Sequence, residues 1–161
     1  MNKFAIFCGS FNPIHSAHIE IKDCAEKILG TTVYFELSIT NSYKPTMDFV
    51  DLDNRTKLME DHAYIVTKAP RFVDKVLFFN KRIKFKEFVI VVGADTWERV
   101  YDSDAHKNGD IKFFEDNSVK FLVFGRNSEI KNQDSKIFMG HPLSLNYCNN
   151  ISSTEIRKNQ I

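Results

Sequence analysis

The sequence predicts an α/β fold, a doubly wound parallel sheet in a single domain over residues 1–161. Three observations carry that prediction. Apolar runs of strand length alternate with segments whose apolar residues recur at helical spacing. The run Phe88-Val89-Ile90-Val91-Val92 contains no polar residue, as expected of a strand covered on both faces. Each well-defined strand also ends in a glycine or polar element: Gly9-Ser10, Asn41 to Lys44, Gly93 to Asp95, and Gly125-Arg126. In a doubly wound sheet those carboxyl ends open on one crevice, where ligands bind.

The elements follow in order. Phe4-Ala5-Ile6-Phe7-Cys8 is the core of a first strand over residues 3–8. A helix is expected over 16–29, where Ile21, Cys24, Ala25 and Ile28 share a face. Ser16 is placed to cap its start and Gly30 to end it. Thr32 to Ile39, rich in β-branched and aromatic residues, is the second strand. A loop from Thr40 to Val50 holds Asn41, Lys44 and Pro45. A long helix is then expected from about Leu52 to Lys68, capped by Asp51 or Asp53, with Leu58, Met59, His62, Ile65 and Val66 at helical spacing and Pro70 closing it. Residues 71–80 read as a short helix, because Asp74 and Lys75 break strand alternation. Another helix runs through Trp97 and Val100 after the strand at 88–92, and Ile111 to Phe114 form a helical turn. Val119 to Phe124 is a strand, Asn127 to Ser135 a polar loop, and Ile137-Phe138-Met139 a short edge strand. Ser152 caps a last helix.

The chemistry concentrates in the turn Gly9-Ser10-Phe11-Asn12-Pro13-Ile14-His15-Ser16-Ala17-His18. Gly9 lets the backbone approach a ligand closely, and Pro13 stiffens the loop. His15 and His18 are three residues apart, so they share a face of the first helical turn. Free backbone N–H groups, the positive end of a helix and two imidazoles suit a phosphate ester. A zinc site from Cys8, His15 and His18 is the competing reading, but its spacing fits no common structural zinc pattern. No protein-held metal is expected. Asp48, Asp51 and Asp53 read as capping residues.

The pattern Gly-x-Phe-x-Pro-x-His-x-x-His resembles the signature of the nucleotidyltransferase superfamily, as does Ile151-Ser152-Ser153-Thr154-Glu155-Ile156-Arg157 near the other end. Family members usually carry Gly between the two histidines; Ala17 stands there in this chain. Phe35 to Asn41 with Lys44-Pro45, and Gly93-Ala94-Asp95-Thr96 with Arg99, look similar to nicotinamide and nicotinate mononucleotide adenylyltransferase-like members. The resemblance implies a Rossmann-like fold and transfer of a nucleotidyl group, with release of pyrophosphate. The donor is a nucleoside triphosphate, ATP favoured over CTP, and the acceptor a small phosphorylated molecule such as nicotinamide mononucleotide. Magnesium arrives with the triphosphate. Phosphopantetheine adenylyltransferase, a cytidylyltransferase and a non-catalytic nucleotide-binding module are the alternatives. Under this resemblance His15, His18, Lys44 and Arg157 are catalytic. Gly9, Ser10, Phe11, Gly93, Asp95, Arg126, Ser152, Ser153 and Thr154 bind the nucleotide. Asn41 and Trp97 face the acceptor, Trp97 by ring stacking. Arg55, in the helix after the Lys44 loop, resembles an arginine of adenylyltransferase-like members; the alternative is that it only holds that loop. Members are often homo-oligomers, but no interface is legible here.

Composition bounds the rest. The chain is 43% hydrophobic with 15 Phe, ample for a core, and its net charge of +1 gives no global pull towards nucleic acid or membrane. The three cysteines, Cys8, Cys24 and Cys148, have no paired spacing and read as reduced thiols in a cytoplasmic protein. The first strand begins almost at the first residue, so no signal peptide is expected, and no apolar run is long enough to span a membrane.

Overall fold

A computed structural model describes residues 2–39, 49–102, 109–125 and 130–147. Their elements run β1 (Lys3–Cys8), α1 (Ser16–Leu29), β2 (Val33–Ser38), α2 (Phe49–Lys57), β3 (Tyr64–Thr67), α3 (Phe72–Asn80), β4 (Glu87–Gly93), α4 (Ala94–Asp102), α5 (Ile111–Asp116), β5 (Val119–Phe124), β6 (Phe138–Met139) and α6 (Pro142–Leu145). The six strands form one sheet in the order β3-β2-β1-β4-β5-β6. Every pairing is parallel. The chain winds outward from β1 to β3, returns beside β1 as β4, and winds outward the other way. The reversal lies between β1 and β4, the position at which such sheets bind ligands.

Alternation along the strands builds two cores. Phe4 and Ile6 of β1, with Phe88, Ile90 and Val92 of β4, meet Val76 and Phe79 of α3 and Trp97 and Val100 of α4 on one face. Ala5 and Phe7, with Val89 and Val91, meet Ala25 and Leu29 of α1 on the other. Coverage of both faces explains the unbroken apolar runs of β1 and β4.

Two local expectations are corrected. The helix expected from Leu52 to Lys68 is instead α2, a turn and β3. Helical spacing persists only to Lys57; Met59 N–H then donates to Thr56 O (3.0 Å) and His62 N–H to Met59 O (2.9 Å). Tyr64-Ile65-Val66-Thr67 are aromatic and β-branched, and the open edge of β2 takes them up in the register Phe35↔Tyr64 to Ser38↔Thr67. Pro70 therefore sits in the β3–α3 link rather than ending a helix. The cap of α1 is His15, not Ser16, which is the first helical residue. Gly30 ends α1 in the left-handed conformation, φ 67°. The helix expected over 71–80 is present as α3, with Arg71 N–H donating to Asp74 Oδ2 at 3.2 Å. The edge strand at 137–139 is present as β6. The single turn α6 is an addition; it is capped by His141, whose Nδ1 accepts the Leu143 N–H at 3.1 Å.

Candidate active site

The site is built where β1 passes into α1 and β4 into α4. The β1–β4 register places Phe7 opposite Val91, so Gly9 and Gly93, each two residues further on, lie level at the crevice. Gly9 is pinned from the β2 side by its N–H to Glu36 O (3.2 Å). A Cβ on Gly9 would lie 2.9 Å from the tip of the Phe11 ring, so any side chain there would have to displace that ring. Gly93 faces open space: a Cβ there would meet nothing within 4 Å.

Phe11 turns the chain with φ 45° and drives its ring into the core, 2% exposed, edge-on to Phe7, Phe35 and His18. Its contribution to a ligand is therefore limited to its backbone. The Ser10 carbonyl accepts a hydrogen bond from the Arg55 guanidinium (3.1 Å), which also pairs with Asp51 (2.6 Å). Arg55 thus ties α2 to the turn that follows β1.

His15 and His18 stack, ring centroids 3.8 Å apart and planes 24° from parallel. Each uses Nδ1 to accept a backbone N–H: His15 from Ala17 (3.2 Å), His18 from His15 (3.1 Å). With both Nδ1 atoms acting as acceptors, each neutral ring carries its proton on Nε2. Burial lowers the His15 pKa, and burial together with the His15 neighbour lowers that of His18 to about 4. The unliganded pair is therefore neutral at pH 7 and offers two Nε2–H donors rather than two charges. The Ala17 methyl is 6% exposed, so it packs into the protein and takes little space from the crevice.

The His18 shift has a consequence for stability. The unfolded side chain titrates near its ordinary 6.5, the folded one near 4. Above pH 6.5 both states are neutral. As pH falls from 6.5 towards 4, the unfolded chain binds a proton that the folded one refuses, and stability is lost. The melting temperature is expected to drop across this window, and His18→Asn to flatten the drop; thermal melts at half-unit pH steps check it.

Asp95 lies exposed in the first turn of α4, beside a cavity of about 520 Å³ that it lines with Glu98, Arg99 and Asp102. Gly125 closes β5 against this helix: a Cβ there would lie 2.8 Å from that of Ala94. Trp97 is a correction. It is 0% exposed, its ring lies 5.6 Å from Phe121 and 5.4 Å from Phe138, and its indole N–H donates to Lys131 O (2.9 Å). It is a core residue and presents no face for stacking on an acceptor. Its neighbours at helical spacing, Val100 and Tyr101, point to the same core. Asn41, Lys44, Arg126, Ser152, Ser153, Thr154 and Arg157 lie outside the described residues. A second groove, about 620 Å³, lies between β3 and α3, lined by Ile39, Val66, Ala69, Leu77 and Phe78 among others.

Sequence reasoning missed one cluster. Glu36, Thr67 and Lys75 form a buried hydrogen-bonded group beneath the carboxyl ends of β2 and β3. Its signal was present in a glutamate enclosed by Phe35 and Leu37 in an otherwise apolar strand.

The sheet order, the crevice at its reversal and a capped histidine pair at the first strand end define a doubly wound α/β protein with a candidate ligand site at that crevice. Residues 6–159 match the Cytidylyltransferase-like family, and the chain belongs to it. A "Probable nicotinate-nucleotide adenylyltransferase" of Pelagibacter ubique is 28% identical, over 97% of this chain and 92% of its own. One of the same name from Endomicrobium trichonymphae is 27% identical, over 98% and 86%. Among solved structures, Plasmodium falciparum nicotinic acid mononucleotide adenylyltransferase complexed with NaAD superposes with a TM-score of 0.65 at 16% identity, over 98% of this chain and 83% of that one. That likeness concerns the fold.

Proposed function

We propose that this chain transfers AMP from ATP to a nicotinate or nicotinamide mononucleotide. The observation that carries the reading is the His15–His18 pair, with both Nε2 protons free of the capping bonds, at the strand end beside the sheet's reversal. Membership of the family and the names of the full-length relatives support adenylyl transfer over the cytidylyl and phosphopantetheine alternatives.

An acceptor phosphate oxygen attacks the α-phosphorus of ATP; the bond to the bridging oxygen breaks, and pyrophosphate leaves. Little covalent chemistry is asked of the protein, so positioning and charge stabilisation do the work. The backbone at Gly9 and Ser10 receives the phosphates. His15 and His18 donate to oxygens whose charge rises in the transition state. Gly93 and Asp95 take the ribose. Lys44, Arg126, Arg157 and the hydroxyls of Ser152, Ser153 and Thr154 complete the anion site in this reading, and Asn41 contacts the acceptor. Among the described residues no three His, Cys, Asp or Glu side chains gather. In this reading magnesium enters on the triphosphate, held by its oxygens and water. Among the described residues no helix is long and apolar enough to cross a membrane. A cytoplasmic setting completes the reading, supported by the free thiols Cys8 and Cys24.

The test is pyrophosphate release with magnesium, ATP and CTP each paired with nicotinate mononucleotide, nicotinamide mononucleotide and phosphopantetheine. Release with ATP and a pyridine mononucleotide is expected. A folded protein that releases none with those pairs overturns the reading.

A further inference from the structure

The structure assigns Arg55 a positioning role: it fixes the Ser10–Phe11 peptide so that the Phe11 N–H is presented to the phosphates of a bound nucleotide. The choice of ligand rests on the adenylyl-transfer reading. The described bonds of the guanidinium run to the turn after β1 and to its own helix. Nη1 donates to Ser10 O (3.1 Å) and Nη2 to Asp51 Oδ2 (2.6 Å). The side chain is 14% exposed, and its Nε is buried with no hydrogen-bond partner among the described residues. Withdrawing a guanidinium from water and leaving one donor unpaired costs stability. The return is one bond to a neutral carbonyl and an i,i+4 pair with a carboxylate that is 39% exposed, a kind of pair worth little. Stability alone therefore does not account for an arginine here, since an apolar side chain of similar length would pack along the same path.

What the guanidinium holds is a strained peptide. Phe11 has φ 45°, a left-handed backbone that is uncommon for a bulky residue. Such a conformation persists where its surroundings over-determine it. Two contacts do so here. The Phe11 ring is locked in the core, edge-on to Phe7, Phe35 and His18, and Arg55 grips the carbonyl of the peptide that precedes it. That peptide is trans, so its N–H points opposite to its carbonyl, away from the Arg55 guanidinium. α2 belongs to the β2–β3 crossover, whereas the crevice opens on the other side of β1, at β4. The Phe11 N–H makes no hydrogen bond among the described residues. A backbone donor held in a fixed direction needs no reorganisation when charge develops beside it. A buried cation, a left-handed residue and an unbonded N–H thus meet in one peptide, next to the histidine pair.

The test is Arg55→Met, which keeps an apolar stem and removes the guanidinium, with Arg55→Lys beside it. In the wild-type protein the Phe11 amide proton is expected to move downfield when magnesium and an ATP analogue that cannot release pyrophosphate are added, as an N–H does on bonding to an anionic oxygen. In Arg55→Met most of that shift is lost. The variant's kcat falls roughly 10–10²-fold, the effect of misplacing a donor in a pre-organised site, with the acceptor KM nearly unchanged. Arg55→Lys does not restore kcat, because one ammonium cannot hold Ser10 O and Asp51 in the geometry of a guanidinium fork. An arginine that only ties α2 to the fold gives another pattern: a lower melting temperature, with the kcat and Phe11 shift of the folded variant as in wild type. That pattern overturns the proposal, and so does a wild-type Phe11 amide that stays in place at saturating analogue. If Arg55→Met does not fold, Arg55→Lys decides by the same two readouts, and wild-type values of both overturn the proposal. A wild-type protein that shows the Phe11 shift without turnover supports the positioning role and strikes at the adenylyl-transfer reading instead.

Discussion

His18→Ala is expected to lower kcat/KM for adenylyl transfer by roughly 10²–10³-fold in a protein that remains folded. That is the usual effect of removing one donor aimed at developing charge in a pre-organised site. His18 is committed to donation by its surroundings. Its Nδ1 is held by the His15 N–H, so only Nε2 carries a proton, and burial keeps the ring neutral until a ligand arrives. In the proposed reading, an incoming triphosphate would place negative charge beside both rings, which would favour the protonated forms and strengthen each hydrogen bond. The structural cost is smaller: loss of the reciprocal bond to the His15 N–H is a capping loss of about 1 kcal/mol. His18→Asn, which keeps an acceptor for the cap but no imidazole, separates the two effects. Full activity in His18→Ala at an unchanged melting temperature removes this residue from the mechanism.

Trp97→Ala is expected to destabilise the protein by roughly 3–5 kcal/mol, the range for deleting a large buried aromatic. For a chain of this size that is a fall in melting temperature on the order of 10 °C. The side chain fills the space among Tyr101, Phe121 and Phe138, and its N–H satisfies the Lys131 carbonyl. Truncation leaves a cavity and an acceptor without its donor. Trp97→Phe is expected to retain most of the stability and all of the acceptor affinity, because no face of the indole reaches the crevice. A Trp97→Phe variant that folds like wild type but binds nicotinate mononucleotide tenfold more weakly would restore Trp97 to the acceptor site. Denaturant melts and acceptor KM values decide between the two.

Trp97 and Glu36 show opposite limits of reading a chain without its fold. A tryptophan near Gly93 and Asp95 is close in sequence to the crevice, but α4 turns its side chain away from them into the core. Sequence proximity to a site does not give side-chain direction; helical phase does. Glu36 sat in plain view as a charged residue in a buried strand. Its partners, Thr67 and Lys75, are 31 and 39 residues away, and only the pairing of β2 with β3 brings them together. The mistaken long helix has the same origin. Leu58, Met59, His62, Ile65 and Val66 satisfy helical spacing, while Tyr64 to Thr67 also suit a strand, and the open edge of β2 decided between them.

What the sequence alone determined is everything set by local chemistry: apolar runs that must be covered on both faces, a glycine where the chain turns sharply at Gly9, and a histidine pair whose spacing places it on one helical turn. From these come the doubly wound sheet and the location of its crevice. The tertiary structure decided what depends on distant neighbours. Burial and mutual stacking made the histidines neutral donors, strand pairing turned the last part of a predicted helix into β3, and packing assigned Trp97 to the core and Glu36 to a buried ion pair. The physical reason is common to all four: desolvation, stacking and edge pairing are interactions between segments, and their free energies exceed the small local preferences that a sequence pattern records.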